Sequence, residues 1–208
     1  LALAFSQSGR SPDLVKATAF FSGAESHSVA LVNDAASPLA LQAHTVLPLH
    51  AGTESSVAAT KSFIAQLVSG ARLLSAWQGD AALQSALEHL PSSLETAAQQ
   101  DWSEAVQALA SVDRLMVVSR GTGMAVALEA ALKFKETCGI QAETFSSAEL
   151  RHGPMALIEN GYPLLVLAPR GPAQAEMRAL ADEMRARGAR VLLAACGEPQ
   201  DHELPATT

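Results

Sequence analysis

The 208-residue chain is short of cysteine, aromatic side chains and charge: two Cys, 4% Phe, Trp and Tyr, and 17% Asp, Glu, Lys and Arg. The two thiols, Cys138 and Cys196, lie far apart and fit no zinc-ligand or CxxC spacing. They read as reduced thiols in a cytoplasmic chain, and no metal site is expected from them. Cations are scarce as well, with 14 Lys+Arg against 21 Asp+Glu and a formal net charge of -7. That balance argues against a nucleic-acid surface and still allows a local pocket for an anion. No apolar run approaches the length that spans a bilayer, and no charged-then-apolar leader is present, so no membrane contact is expected. There is no initiating methionine: Leu1 opens directly into an apolar run, and the sequence reads as an internal fragment. What remains is a 49% hydrophobic chain, long enough for one large or two small domains with a substantial core.

Against that background, the stretch 127–154 (ALEAALKFKETCGIQAETFSSAELRHGP) concentrates titratable residues in a segment that otherwise reads as buried. At helical spacing over 126–138, Glu129, Lys133 and Glu136 fall on one narrow stripe, while Ala127, Ala131, Phe134 and Cys138 cover the opposite side. A helix apolar over most of its girth belongs inside a domain, where a carboxylate persists if it is paired, hydrogen-bonded or facing a cleft. Gly139 marks the helix end, and Glu143, Glu149, Arg151 and His152 follow before the rigid Gly153-Pro154 turn. The same residues admit a structural account. Glu129 with Lys133 is a favourable i, i+4 pair on any surface helix, and a lone histidine beside a turn is commonly structural.

Taken in order, 1–5 (LALAF) reads as a strand, SQSGRSPD as a loop and 14–21 as a helix. Ser11 suits the N-cap, Pro12 the first helical position, and Asp13 complements the helix dipole. Backbone N–H groups there, three serine hydroxyls and the Gln7 amide could surround a phosphate without a lysine. Ser6, Gln7, Ser8 and Ser11 therefore form a candidate phosphate cradle, although a tight strand-to-helix turn would use the same residues. A second strand is expected at 28–33, a turn with a short helix signal after 34–38, and a third strand at 44–49 ending in His50-Ala51-Gly52. A long helix, capped from 53–56, is expected to run through VAATKSF to about Trp77; His50 reads as a satisfied loop residue. Between 79 and 112 the pattern turns to exposed helices. Pro91-Ser92-Ser93 is expected to break one helix and cap the next, Asp101 and Glu104 stand at capping-box spacing, and Trp77 and Trp102 are expected to cover the seam. Then 114–119 (RLMVVS) leads as a strand into Arg120-Gly121-Thr122-Gly123. The dinucleotide fingerprint is otherwise missing, with Val126 at the third glycine position, so no nicotinamide cofactor is expected. A strand at 164–168, a helix at 172–187 and a strand at 190–195 complete the pattern.

LALAFSQSGRSPDLV…SVALVN and LLVLAPRGPAQAEM…ARVLLAA share strand, glycine turn, helix and strand, with Gly9 matching Gly171. Two related α/β units follow: 1–78, a helical connector at 79–112, and 113–208. By the same match, 114–136 should have a counterpart before Leu1. The second copy has Pro169-Arg170-Gly171 in place of the serine cluster, so only the first keeps the phosphate chemistry. Alternating strands and helices with short connections give doubly wound, mostly parallel sheets with helices on both faces. Ligands in such sheets sit beyond the carboxyl ends of the strands. There 6–11, 52–60 and 120–123 are expected to share a pocket.

Three stretches, SQSGRSPD, ESSVAATKSF and ALEAALKFKETCGIQAETFSSAELRHGP, resemble the signatures of sugar isomerase (SIS) domain proteins, with a three-layer αβα fold. The branch is that of type II glucosamine-6-phosphate deaminases and the isomerase half of glutamine–fructose-6-phosphate aminotransferase. The resemblance implies that Ser6, Gln7, Ser8 and Ser11 bind phosphate and that Val57 and Thr60 face the sugar at the start of the next helix. It gives Glu136 the proton transfer between C1 and C2, and His152 ring opening in a neighbouring subunit's site. Lys133 lines that site, the assembly is a homodimer with a shared active site, and the ligand is a sugar phosphate. No metal or cofactor is implied. One carboxylate over two carbons suits aldose–ketose interconversion, and histidine suits ring opening near neutral pH. Two departures stand out. Ala59 occupies a position where the aminotransferase has a serine, and the last lysine is Lys135, so a Schiff-base lysine near the C-terminal tail is not in the sequence. RSPD and VAATKSF look closer to the deaminase. The expected reaction is deamination of glucosamine 6-phosphate to fructose 6-phosphate, with the synthetic direction and a non-catalytic sensor as alternatives.

Overall fold

Each of two units, Leu1–Leu90 and Pro91–Thr208, is built around its own parallel sheet in the computed structural model, which describes residues 1–197 and 203–206. The first unit runs β1 (Ala2–Ser6), α1 (Pro12–Gly23), β2 (Ser28–Val32), α2 (Pro38–Gln42), β3 (Thr45–Pro48) and α3 (Lys61–Gln78), then enters α4 (Ala81–Ala98). Its strands lie in the order β1-β2-β3, with Ala2 opposite Ser28 and Val29 opposite Thr45. β2 is buried at all five positions, as an unbroken apolar run inside a parallel sheet should be. Alternation divides it. Ala30 and Val32 pack with Leu39, Ala40, Leu14 and Val15 on the α1/α2 side, whereas Val29 and Leu31 pack with Leu47, Leu49 and Ala65 of α3.

The second unit continues with α5 (Ser103–Leu109), β4 (Arg114–Ser119), α6 (Gly123–Cys138), β5 (Gln141–Ser146), α7 (Ser147–Arg151), a 3-10 turn (Pro154–Leu157), β6 (Pro163–Ala168), α8 (Gln174–Ala186), β7 (Arg190–Ala195) and β8 (Glu203–Leu204). All neighbours in the order β5-β4-β6-β7-β8 are parallel. Met116 and Val118 join Leu164, Val166, Met177, Leu180 and Met184 beneath α8. Leu115 and Val117 turn to the other face with Leu165, Leu192, Ala127 and Ala131 of α6. This is the expected αβα layering. The repeat is visible as β1–α1–β2 and β6–α8–β7, each a strand, glycine loop, helix and parallel strand.

Four local expectations are corrected. α3 begins at Lys61, leaving Val57 and Thr60 in the preceding loop, because Glu54 folds that loop back and accepts the N–H groups of Thr60 and Ser62. α4 passes through Pro91 with a bond to Leu87 forgone, and Asp80 caps its start by accepting from Ala82 and Leu83. At α5, Asp101 accepts from the Ser103 N–H and hydroxyl, and Trp102 holds the N-cap position. α6 is not enclosed within its unit: Ala127 and Ala131 are buried, while Val126, Leu128, Leu132 and Cys138 are exposed. Among the described residues no helix is long and apolar enough to cross a membrane.

Candidate functional site

The first unit contributes the loop after β1. Gly9 sits at φ +62, and a Cβ there would run into Ser37 and Val32, so only glycine lets the loop lie against α2. Its carbonyl accepts from Leu39 N at 3.0 Å. Ser6 Oγ accepts from Gly9 N at 3.0 Å, and Ser8 Oγ accepts from Arg10 N at 3.3 Å. Both serines use oxygen lone pairs inside the loop, which leaves their hydroxyl protons able to donate outward. Ser11 occupies the N-cap of α1 with Pro12 at N1 and Asp13 in the first turn, as its sequence specifies, but its side chain makes no capping bond and is spare as well. Gln7 is half-buried beside them. Arg10 is turned to Asp34 at 3.0 Å and is exposed, so the loop itself is lined by neutral donors.

The loop after β3 reaches the same carboxyl edge of that sheet. Asn33, just past β2, holds it by donating to Gly52 O at 2.7 Å and accepting from Ala51 N at 3.0 Å. His50 adopts φ +53 there. Glu54 Oε2 then takes three donors: Ser62 N at 2.8 Å, Ser62 Oγ at 2.9 Å and Thr60 N at 3.3 Å. The Ser62 N–H and hydroxyl, ahead of Thr60 and the Lys61 charge, hold the Glu54 carboxyl below the usual carboxylate range. Thr60 Oγ1 donates to Ala58 O, and Val57 stands fully out at 93% exposure.

In the second unit, the expected stripe on α6 is a charge triad. Lys133 Nζ lies 2.7 Å from Glu136 Oε2 and 3.0 Å from Glu129 Oε1, with the three side chains 21–26% exposed. The hydrogen bond that Lys133 donates to Glu136 leads, with its interaction with Glu129, in raising the Lys133 pKa against partial desolvation. The protonated lysine is shared between the two carboxylates and offsets one of their two negative charges.

His152 is elsewhere. α6 runs back antiparallel to the strands, so Glu136 lies toward the amino edge of the sheet, near Gln141, where β5 begins. β5 then carries the chain to the carboxyl edge, where α7 ends in His152, exposed and bonded through its backbone N–H to Glu149 O. Within one chain the two are not brought together, whereas Lys133 and Glu136 are.

The placement of His152 depends on Ser146, Ser147 and Glu176, which sequence reasoning passed over, and on Glu149 and Arg151, to which it gave no partner. Ser146 and Glu149 form a full capping box: Ser146 Oγ accepts from Glu149 N at 3.2 Å, and Glu149 Oε2 accepts from Ser146 N at 2.9 Å. The S-x-x-E signal for it was present at 146–149. Glu176 of α8 accepts from Ser147 Oγ at 2.7 Å and pairs with Arg120 at 3.3 Å and Arg151 at 3.4 Å, while Arg151 also meets Glu183 at 3.2 Å. Ser147, then the two guanidiniums, lower the Glu176 pKa. These partners tie α7 to α8.

The SIS domain profile matches residues 1–76 and 108–202. The chain is 38% identical over 208 residues to glutamine–fructose-6-phosphate aminotransferase [isomerizing] from Symbiobacterium thermophilum, covering 92% of this chain and 33% of that protein. With the enzyme of that name from Methanothermobacter thermautotrophicus it shares 36% identity over 194 residues, 92% of this chain and 32% of the relative. It thus spans about a third of the length of these curated relatives. A crystal structure from Silicibacter pomeroyi, described as a candidate phosphosugar isomerase, superposes with a TM-score of 0.88 at 46% identity, over 92% of this chain and 59% of that one. By its fold, its repeated units and these likenesses, the chain belongs to the SIS domain family.

Proposed function

We propose that this chain is the phosphosugar-handling part of an enzyme that isomerises an aminohexose phosphate, releasing ammonia from glucosamine 6-phosphate and leaving fructose 6-phosphate. The observation that carries the reading is the α6 triad, in which Glu136 is held by Lys133 at 2.7 Å on a partly exposed face. A sensor requires a phosphate loop and has no use for an acid–base pair. Ser6, Gln7, Ser8 and Ser11 bind the phosphate through neutral donors, and Val57 and Thr60 border the sugar. His152, from a neighbouring subunit of a homodimer, opens the ring. Glu136 takes the proton from C2 of the open-chain amino aldose and returns it to C1. The C1 aldehyde becomes an alcohol and C2 becomes an imine. Water adds to the imine, ammonia leaves, and the ketose phosphate remains. Lys133 stabilises the enolate-like charge that develops during transfer.

A second reading runs the same proton transfer toward synthesis, as part of an aminotransferase; the 36–38% identity to enzymes of that name favours it. The intact protein, incubated with glucosamine 6-phosphate and assayed for ammonia and fructose 6-phosphate together, separates the two. Equal release of both products, with Glu136→Gln lowering turnover by about 10²–10⁴-fold while still binding the sugar phosphate, supports deamination. Binding with no release, and glutamine-dependent formation of glucosamine 6-phosphate instead, would replace it with the synthetic reading.

A further inference from the structure

The second sheet has a crevice that the proposed chemistry leaves unused. Its strand order, β5-β4-β6-β7-β8, reverses direction between β4 and β6. From β4 the chain crosses through α6 to β5 on one side, and from β6 it crosses through α8 to β7 on the other. The two helices cover opposite faces, as the core residues they bury show. Loops leaving the carboxyl ends of β4 and β6 therefore diverge and open a cleft, the place where doubly wound sheets receive ligands. A cavity of about 660 Å³ lies there, walled by Arg120, Thr122 and Ser146 on one side and by Pro169, Arg170 and Glu176 on the other.

Proton transfer as proposed does not occupy this cleft. Glu136 is 13 residues along α6 from Gly123 at the cleft, a rise of about 20 Å toward the opposite edge of the sheet. The Arg120-Gly121-Thr122-Gly123 turn is cut to fit the cleft. A Cβ on Gly123 would meet Ser119 Oγ and, at 3.0 Å, Pro169 Cγ, so glycine is what lets the two strand ends close over the cleft floor. Gly121 and Gly171, by contrast, face open space. The cleft also occupies the position that Ser6–Ser11 hold in the repeat, since β6 and its glycine loop correspond to β1 and its own.

The charges are arranged for an anion at one end. Arg170 is exposed and has no carboxylate partner among the described residues. Arg120 is fixed by Glu176 at 3.3 Å and by Ser147 Oγ at 3.2 Å. Glu176 would repel a phosphate that came close, but Arg120 and Arg151 both pair with it, and its carboxylate can accept from sugar hydroxyls. We propose that this cleft is a second binding site, for a small phosphorylated polyol, with the phosphoryl group on Arg170 and Arg120 and the hydroxyls directed to Glu176. Every residue that lines it belongs to the second unit.

Amide NMR on the full chain tests this with fructose 6-phosphate and inorganic phosphate as probes, read at Gly121 and Gly171. In a Ser8→Ala/Ser11→Ala variant, which disables the first-unit loop, fructose 6-phosphate should still shift both glycine signals to saturation. In Arg170→Ala the dissociation constant at those signals should rise about tenfold, as for loss of one charge-assisted contact. Gly121 and Gly171 signals that stay unmoved at millimolar ligand would overturn the site. So would shifts that vanish in the serine variant and persist in Arg170→Ala, since the response would then originate in the first unit. Equal affinity for inorganic phosphate and fructose 6-phosphate would overturn the hydroxyl-reading role of Glu176. Because the readout is binding in the second unit, it is independent of whether the enzyme deaminates, synthesises or does neither.

Discussion

At the scale of single residues, Gly9 and Glu54 set the shape of the first unit's ligand edge. Gly9→Ala must take a left-handed φ and drive a methyl into Ser37 and Val32. A loss of about 3 kcal/mol is expected, read as a lowered urea midpoint with unchanged m-value. Glu54→Ala frees the Ser62 N–H and hydroxyl together and releases the loop that carries Val57 and Thr60. In the proposed reaction it should raise KM for the sugar phosphate several-fold and alter kcat little, in contrast to Glu136→Gln. Glu54, Glu149 and Glu176 are all depressed by bonds that exist only in the fold. Their folded pKa values lie below those of the unfolded chain. Their stabilisation is therefore complete above the ordinary glutamate value and fades as pH falls through the folded values. Urea midpoints should hold near neutrality and drop in that acid window, and the drop should shrink in Glu176→Gln. The sequence marked Gly9, Ser11 and the Glu129–Lys133–Glu136 stripe because each obeys a local rule. It did not mark Glu54 or Glu176, whose partners are set by how a loop folds back or by how two helices meet.

Among the elements, α4 and α7 depart furthest from expectation. Pro91 reads as a helix breaker because it lacks an N–H and crowds the preceding turn, yet α4 continues through it. Pro91 is exposed, so Pro91→Ala should restore the bond to Leu87 without repacking anything. A gain of about 1–2 kcal/mol is expected, less than the full helical penalty because the unfolded chain becomes freer. It would register as a rise in Tm. α7 is only five residues long and cannot persist by propensity; its capping box and its ties to Glu176 and Glu183 hold it. Ser146→Ala should cost about 1 kcal/mol. β5 and α7 were hidden in the sequence for a related reason. QAETFS is too polar to announce a strand, and it is one only because β4 offers a parallel neighbour from Arg114 to Ser119.

For the whole molecule, the αβα layering was legible because β2, β4, β6 and β7 are uninterrupted apolar runs spaced by helical segments, and because the repeat could be read twice. What could not be read was which strand lies beside which, since order depends on crossovers that no local pattern encodes. Burial ranks the strands dynamically. Amide exchange should be slowest in β2, β4 and β6, and faster in β3, which is half-buried or exposed along its length. The hydroxyl lining of the first-unit loop has a further consequence for a chain of net charge -7. A dianion approaching it meets an overall repulsive field and then a neutral cradle, so there is no counter-charge for added electrolyte to mask. Ionic strength should leave its affinity level or improve it, while the same salt loosens anything held at Arg170. Two sites reading similar phosphates would then answer to different features of the cell's ionic medium.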